Sequence, residues 1–252
     1  MSVTTVFFDM GDTLLHYHPE GGSWEQMEKQ GAGGIYDRLV AHGHQLPDRE
    51  MVLQDWWETM QLTWRSLLSL QKEEMLTAFQ LAYLVKKWGV ELQNPADLHD
   101  VEDAYVKAIQ KVVRPVPGAL DALRWVKNQG LNVGLISNTM WRGSYHQADL
   151  EKHGFWQLLE YAIFSSDAMV WKPEAQVFDM ALQAFKVQPH EAVYIGDSLF
   201  FDVYGAQQAG WRAVWVEQPK KWMPPGIDFP IPDASIQSMA DLPYLLANWI
   251  EE

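Results

Sequence analysis

The sequence predicts an α/β fold in which a mostly parallel sheet carries an inserted, all-helical domain. From about residue 119 onward, short apolar runs alternate with amphipathic helical patterns, and repeated strand–helix units of this kind build parallel sheets. Residues 3–8 (VTTVFF) have the β-branched and aromatic composition of a buried strand. Residues 17–112 show helical periodicity and no convincing strand. We therefore expect an α/β core domain from residues 1–16 and 113–252 and a helical domain from residues 17–112.

The individual elements are predicted from apolar periodicity and from the turn residues that separate the runs. A strand at residues 3–8 comes first, followed by four helical stretches near residues 24–42, 49–70, 73–88 and 98–112. Pro115 and Pro117 then interrupt the chain. Beyond them we expect helices at 119–129, 145–153, 174–185, 202–209 and 240–249, and strands at 132–136, 161–164, 192–195, 212–216 and 235–236.

The composition excludes several classes of protein. Among 252 residues, 33 acidic and 19 basic side chains give a net charge of −14, which disfavours binding to nucleic acid or to an anionic membrane. The absence of cysteine excludes disulfides, thiolate metal sites and cysteine nucleophiles. No apolar run is long enough to span a membrane, and the first residues do not resemble a signal peptide. We expect a cytoplasmic protein, and the sequence leaves its oligomeric state open.

Polar residues with catalytic chemistry follow the predicted strands, where ligands of open parallel sheets bind. They are Asp9 after the first strand, Ser137 and Asn138 after the second, Lys172 between the third and fourth, and Asp197 and Asp202 after the fourth. Two carboxylates at one sheet edge repel each other, and a hard divalent cation with oxygen ligands relieves that repulsion. A cation beside Lys172 would also attract phosphate. The pattern therefore predicts a metal-assisted phosphate site.

Four short segments resemble, in order, the four motifs of the haloacid dehalogenase-like (HAD) hydrolases. They are residues 8–14 (FDMGDTL), 136–138 (ISN), Lys172-Pro173 and 196–202 (GDSLFFD). Together they span the whole α/β part of the chain. The resemblance implies a Rossmann-like parallel-sheet core. The insertion between the first two motifs is similar to the helical cap of phosphoglycolate phosphatase-like members.

This resemblance implies a phosphatase that acts on a small phosphorylated metabolite through an aspartyl-phosphate. Asp9 would attack phosphorus, which splits one difficult displacement into two easier ones. The hydroxyl of Ser137 and the amide of Asn138 would bind phosphoryl oxygens. Lys172 would neutralise charge in the transition state.

The resemblance also implies a Mg²⁺ site, with one departure from the family pattern beside it. The ligands would be Asp9, the backbone carbonyl of Gly11, Asp197 and Asp202, the last directly or through water. Most phosphatases of this family carry an aspartate at the position of Gly11, and that aspartate protonates the leaving group. Its replacement in this chain stays open between His16, His18 and a residue of the cap.

Two other functions are compatible with the sequence. A dehalogenase of the same fold would also use Asp9, although it would not need Asp197 and Asp202 for a metal. A degenerate member that binds phosphate or a partner protein without useful turnover is the second alternative, and Gly11 is the residue that keeps it open.

Two further patterns are open to a functional interpretation. Residues 31–34 (GAGG) look like a phosphate loop, but no strand precedes them and no Lys-Ser/Thr follows. We expect either a break between two helices or a close helix contact there. Trp56, Trp57, Trp64 and Trp88 have spacings better explained by helix packing than by stacking on a ligand.

Overall fold

A fully parallel sheet of six strands positions the site in the computed structural model, which describes residues 3–66, 71–219 and 221–250. Its strands are β1 (Thr5–Phe8), β4 (Asn132–Ser137), β5 (Tyr161–Phe164), β6 (Ala192–Gly196), β7 (Arg212–Val216) and β8 (Ala234–Ile236). They lie in the order β5-β4-β1-β6-β7-β8. Phe8 at the end of β1 pairs with Leu135 on one side and with Ile195 on the other. The residues that follow β1, β4 and β6 therefore come together at one edge. The predicted α/β fold is confirmed.

Helices alternate with these strands, as the apolar periodicity predicts. They are α5 (Ala119–Asn128), α6 (Gly143–Lys152), α7 (Ser165–Ala168), α8 (Ala175–Phe185), α9 (Gly205–Gln208) and α10 (Leu242–Ile250). Buried side chains of the strands, of α8 and of the residue before β7, among them Phe7, Phe178, Tyr194 and Trp211, form a continuous core. The helix predicted at 202–209 differs from expectation, because a π-helical turn at Leu199–Tyr204 precedes α9. The short helix α7 is absent from the prediction, since four residues carry too little periodicity to detect.

A second, two-stranded sheet is also absent from the prediction. Strand β2 (Leu15–His16) pairs antiparallel with β3 (Arg114–Pro115). Each strand has only two residues, so neither shows the alternation from which strands are inferred.

In its described residues the inserted segment contains four α-helices: α1 (Trp24–Ala41), α2 (Arg49–Arg65), α3 (Thr77–Lys87) and α4 (Pro95–Gln110). Local capping explains where α1 and α4 begin, because Ser23 and Asn94 each accept a hydrogen bond from the third helical amide in a capping box. The helix predicted at 49–70 ends at Arg65, and residues 67–70 lie outside the described residues. The one predicted at 73–88 is divided into a 3₁₀ turn at Glu73–Met75 and α3.

The glycine-rich run at residues 31–34 lies inside α1 and is a close helix contact, so the alternative of a break between helices was wrong. A Cβ atom on Gly31 would lie 2.3 Å from the ring of Tyr105. A Cβ atom on Gly34 would lie 2.4 Å from the carbonyl oxygen of Ala104. Because both contacts are with α4, these glycines allow α1 and α4 to approach each other closely.

The chain separates into two compact units. The sheet unit comprises Met1–His16, Arg114–Thr139 and His146–Glu252, and the helical unit comprises Tyr17–Val113 and Met140–Tyr145. That these units are separate domains with limits at residues 16/17 and 112/113 stays a prediction. Within the described residues, no helix combines the length and apolar character needed to cross a membrane.

Candidate active site

The nucleophile predicted at Asp9 lies at the centre of the sheet edge. Asp9 directly follows β1, and its backbone amide donates a hydrogen bond to the carbonyl oxygen of Ile195 in β6 (2.9 Å). This bond continues the β1–β6 pairing by one residue, so the Asp9 backbone is fixed by the sheet itself. Ser137 ends β4 on one side and is buried, while Asp197 follows β6 on the other. The sheet therefore places three predicted site residues on adjacent strands.

Lys172 connects this edge through all three of its ammonium protons. Its Nζ donates to Asp9 Oδ1 (2.7 Å), to Asp202 Oδ1 (2.6 Å) and to the hydroxyl of Tyr194 (2.8 Å). The side chain is only 2% exposed. A buried ammonium group is stable only with such partners, so Lys172 and the two carboxylates form one ionic cluster.

The side chain of Asn138 fixes the backbone of Lys172. Its Nδ2 donates to the Lys172 carbonyl oxygen (3.0 Å), and its Oδ1 accepts from the Lys172 amide (2.8 Å). The sequence gives no signal for this reciprocal pair, because the two residues are 34 positions apart. Phosphate binding by Ser137 and by the backbone amide of Asn138 stays a prediction.

Asp202 is held on both of its carboxylate oxygens. Oδ1 accepts from Lys172, and Oδ2 accepts from the backbone amide of Ser198 (2.8 Å). Asp202 lies in the π-helical turn that follows β6, and Gly196 packs directly against it. A Cβ atom on Gly196 would lie 2.4 Å from the Asp202 carboxyl carbon. The glycine of the fourth motif is therefore required for Asp202 to reach Lys172.

The cluster contains more acidic than basic side chains. One carboxylate oxygen each from Asp9, Asp197 and Asp202 lies within 4.8 Å of the others. Burial, partly offset by Lys172, raises the pKa of Asp9 to about 6. Burial and the charges of Asp202 and Asp9 raise the pKa of Asp197 well above its usual value. Carboxylates that lie this close raise one another's pKa, because each disfavours the negative charge of the others. A hard divalent cation relieves this repulsion and prefers carboxylate oxygens as ligands.

The structure around Gly11 and Asp12 bears on the missing aspartate at position 11. Gly11 has an ordinary backbone conformation, and a Cβ atom there would meet no heavy atom within 4 Å. Asp12 instead has the left-handed conformation (φ 54°), and its Oδ1 lies 2.7 Å from Nδ1 of His16. The charge of Asp12 contributes to the raised pKa of Asp197, so Asp12 lies near the cluster. His18 belongs to the helical unit.

Tyr194 is a site residue that the sequence analysis missed. It lies in the interior of β6, where its aromatic side chain is typical of a buried strand and indicates no function. Its hydroxyl accepts from Lys172 and donates to the carbonyl oxygen of Ile136. The only indication in the sequence is that Tyr194 places a polar hydroxyl in an otherwise apolar strand, three residues before Asp197.

Two of the four tryptophans that the sequence assigns to helix packing, Trp56 and Trp88, are buried in the helical unit, whereas Trp57 and Trp64 are partly exposed. Trp56 is fully buried, and its Nε1 donates to Glu28 Oε2 (2.8 Å). Trp88 is buried as well, and its Nε1 donates to Asp55 Oδ2 (2.9 Å).

Known proteins similar to this chain include two phosphatases. A glyceraldehyde 3-phosphate phosphatase of Pyrococcus furiosus is 26% identical over 223 residues, which cover 86% of this chain and 82% of that protein. A phosphoserine phosphatase of Thermus thermophilus is 27% identical over 225 residues, which cover 84% and 88%.

Solved structures resemble the chain over nearly its whole length. The crystal structure of a 2-haloacid dehalogenase from Pseudomonas syringae pv. tomato covers 98% of this chain and 99% of its own, with a TM-score of 0.71 and 24% identity. At this identity the likeness shows the fold alone. The sequence profile of the haloacid dehalogenase-like hydrolases matches residues 54–216, which is more than half of the chain. The predicted resemblance is thereby confirmed, and the chain belongs to the haloacid dehalogenase-like hydrolases.

Proposed function

We propose that this chain is a Mg²⁺-dependent phosphatase that hydrolyses a small phosphorylated metabolite through an aspartyl-phosphate on Asp9. The observation that carries the proposal is the ionic cluster at the carboxyl end of β1. There the buried Lys172 ammonium lies 2.7 Å from Asp9, and two further carboxylates converge on the same point. This arrangement supplies a fixed nucleophile and a fixed positive charge.

The first half of the proposed reaction transfers the phosphoryl group to the protein. A carboxylate oxygen of Asp9 forms a bond to phosphorus while the bond between phosphorus and the leaving oxygen breaks. The alcohol leaves with a proton from a general acid or from water. Water then attacks the phosphorus of the acyl phosphate, which releases orthophosphate and regenerates the Asp9 carboxylate. Lys172 compensates the charge of the phosphoryl oxygens in both steps.

The carboxylates of the cluster fit a magnesium ion. Asp9, Asp197 and Asp202, together with the Gly11 carbonyl, are the residues that would hold it. When bound, the ion supplies positive charge that allows a carboxylate and a phosphate, both anions, to approach each other. The net charge of the cluster supports this assignment, because one ammonium group faces three carboxylates.

The names of the relatives support a small phosphorylated substrate. Glyceraldehyde 3-phosphate and phosphoserine, which two of them hydrolyse by name, are both small phosphate monoesters. We propose that residues 17–112 act as the cap domain that selects the substrate. The acidic cluster disfavours the dehalogenase alternative, since removal of a halide requires no cation.

Replacement of the nucleophile tests this function. Asp9→Asn should reduce kcat for p-nitrophenyl phosphate by about 10⁴-fold or more, the order of loss seen when an enzyme nucleophile is removed. Activity of the native protein should require Mg²⁺ and should disappear in excess chelator. The matched control is Asp179→Asn, which makes the same change at an exposed residue of α8 and should leave kcat unchanged.

Each alternative has its own outcome in the same experiment. Full activity of Asp9→Asn would exclude the aspartyl-phosphate. Binding of orthophosphate without hydrolysis by the native protein would identify a phosphate-binding protein. Release of halide from a 2-haloacid, independent of Mg²⁺, would identify a dehalogenase.

A further inference from the structure

Tyr194 contacts the predicted catalytic lysine through its ring hydroxyl, and that hydroxyl also lies near the charges of Asp202 and Asp9. Its ring lies in the core, 5.7 Å from the ring of Phe178 and 6.4 Å from that of Trp211, measured between centroids. Both neighbours are buried, and Tyr194 is 0% exposed. The position of its hydroxyl is therefore set by packing of the rigid ring.

The hydroxyl is also fixed by its hydrogen bonds. It donates to the carbonyl oxygen of Ile136, which directly precedes Ser137 in β4. It accepts from Lys172 Nζ (2.8 Å). Tyr194 therefore links the ammonium of Lys172, on the loop before α8, to the backbone of a central strand.

The two other acceptors of Lys172 cannot perform this task during the proposed reaction. Asp9 loses its negative charge when it becomes an acyl phosphate, and its bond to Lys172 then weakens. Asp202 is not modified in the reaction, and its hydrogen bond of 2.6 Å would keep the ammonium close to its own oxygen. The Tyr194 hydroxyl is neutral, and its ring is packed in the core. Its hydrogen bond therefore keeps one N–H group of Lys172 in the same orientation while the charges around the ammonium change.

From these contacts we infer that Tyr194 is a positioning residue, which holds the Lys172 ammonium where it can bind the transferred phosphoryl group. This inference rests on the proposed phosphatase function. It predicts that loss of the Tyr194 hydroxyl acts on catalysis only through Lys172.

The test is a double-mutant cycle with Tyr194→Phe and Lys172→Met. The phenylalanine keeps the ring and removes only the hydroxyl. Tyr194→Phe should lower kcat about tenfold, equivalent to about 1.4 kcal/mol, with a much smaller change in KM. In the Lys172→Met background the same substitution should change kcat less than twofold. Tyr105→Phe is the matched control, because it removes the hydroxyl of a second buried tyrosine, which donates to Glu28 Oε2 (2.7 Å), and it should leave kcat unchanged.

Orthophosphate binding, measured by calorimetry in the presence of Mg²⁺, provides a readout that does not need turnover. Tyr194→Phe should weaken it in the native background and leave it unchanged beside Lys172→Met. Equal effects of Tyr194→Phe in both backgrounds, on kcat or on phosphate affinity, would show a merely structural role and overturn the inference. A native protein that binds phosphate with this coupling but hydrolyses nothing would overturn the proposed function alone. A native protein that does not bind orthophosphate would overturn both.

Discussion

The buried glutamate of the helical unit offers a test of the structure that is independent of catalysis. Glu28 lies on α1 and is 3% exposed. Its Oε2 accepts hydrogen bonds from Trp56 Nε1 (2.8 Å) and from the hydroxyl of Tyr105 (2.7 Å). Burial raises its pKa to about 7, although both hydrogen bonds act in the opposite direction. We expect Glu28→Gln to stabilise the protein above neutral pH.

The direction of this pH effect follows from the pKa of Glu28 in the folded and in the unfolded protein. In the unfolded chain Glu28 has an ordinary pKa of 4.5, whereas the folded protein retains its proton up to about pH 7. The free energy of unfolding that Glu28 contributes is therefore fully present below pH 4.5 and is lost as the pH rises through 7. Because one pKa unit corresponds to about 1.4 kcal/mol, the loss is about 3 kcal/mol. Glutamine stays neutral at every pH, and its Oε1 can accept both hydrogen bonds.

Melting temperatures between pH 5 and pH 9 provide the assay. The variant and the native protein should differ little at pH 5, and the variant should melt higher by about 6–12 °C at pH 8, the shift that about 3 kcal/mol produces in a chain of this size. Glu58→Gln, at an exposed position of α2, is the control and should change neither value. If Glu28→Gln and the native protein show parallel curves across this range, the carboxylate titrates normally and the reasoning from burial is wrong.

The remaining predictions concern two glycines of the candidate active site, Gly11 and Gly196. Gly11→Asp should raise the ratio of kcat/KM for alkyl phosphates to that for aryl phosphates by up to about 10²-fold, since a positioned acid mainly assists the more basic leaving group; an unchanged ratio would show that another group already donates the proton. The loop should tolerate this side chain, because no heavy atom lies within 4 Å of the added Cβ. Gly196→Ala should lower the melting temperature and should lower kcat about tenfold or more. The alanine Cβ would lie 2.4 Å from the Asp202 carboxyl carbon and would displace the Asp202 carboxylate from Lys172. Gly11→Ala is its control for stability, and an equal melting temperature of both alanine variants would contradict the close approach.

The sequence was sufficient for the parts of the site that parallel strands impose. Asp9 and Asp197 each follow a buried apolar run, and consecutive βαβ units bring such positions to one sheet edge. The contact between Asn138 and Lys172 could not be predicted, since it depends on how two loops 34 residues apart meet. Tyr194 was missed for a related reason, because its ring satisfies the strand pattern and conceals the function of its hydroxyl.

The glycines of α1 show where local preference gives way to packing. Three glycines within four residues disfavour a helix by about 1 kcal/mol each relative to alanine, which made a break between helices a reasonable expectation. In the structure two of them allow α1 to contact Tyr105 and Ala104 of α4 at distances that no other residue permits. The cost in helix propensity is local and visible in the sequence. The packing against α4 that offsets this cost involves residues 70 or more positions away, so the sequence alone does not reveal it.

Gly11 and Asp12 show how the position of a carboxylate along one short loop determines what it does. At position 11 the backbone is ordinary and the space beside it is open, so an acid there could turn toward a leaving group. At position 12 the left-handed backbone places the carboxylate 2.7 Å from His16 Nδ1. Its charge then acts on Asp197, whose pKa it helps to raise. Asp12 therefore adds negative charge near Asp197, while its own carboxylate is engaged with His16.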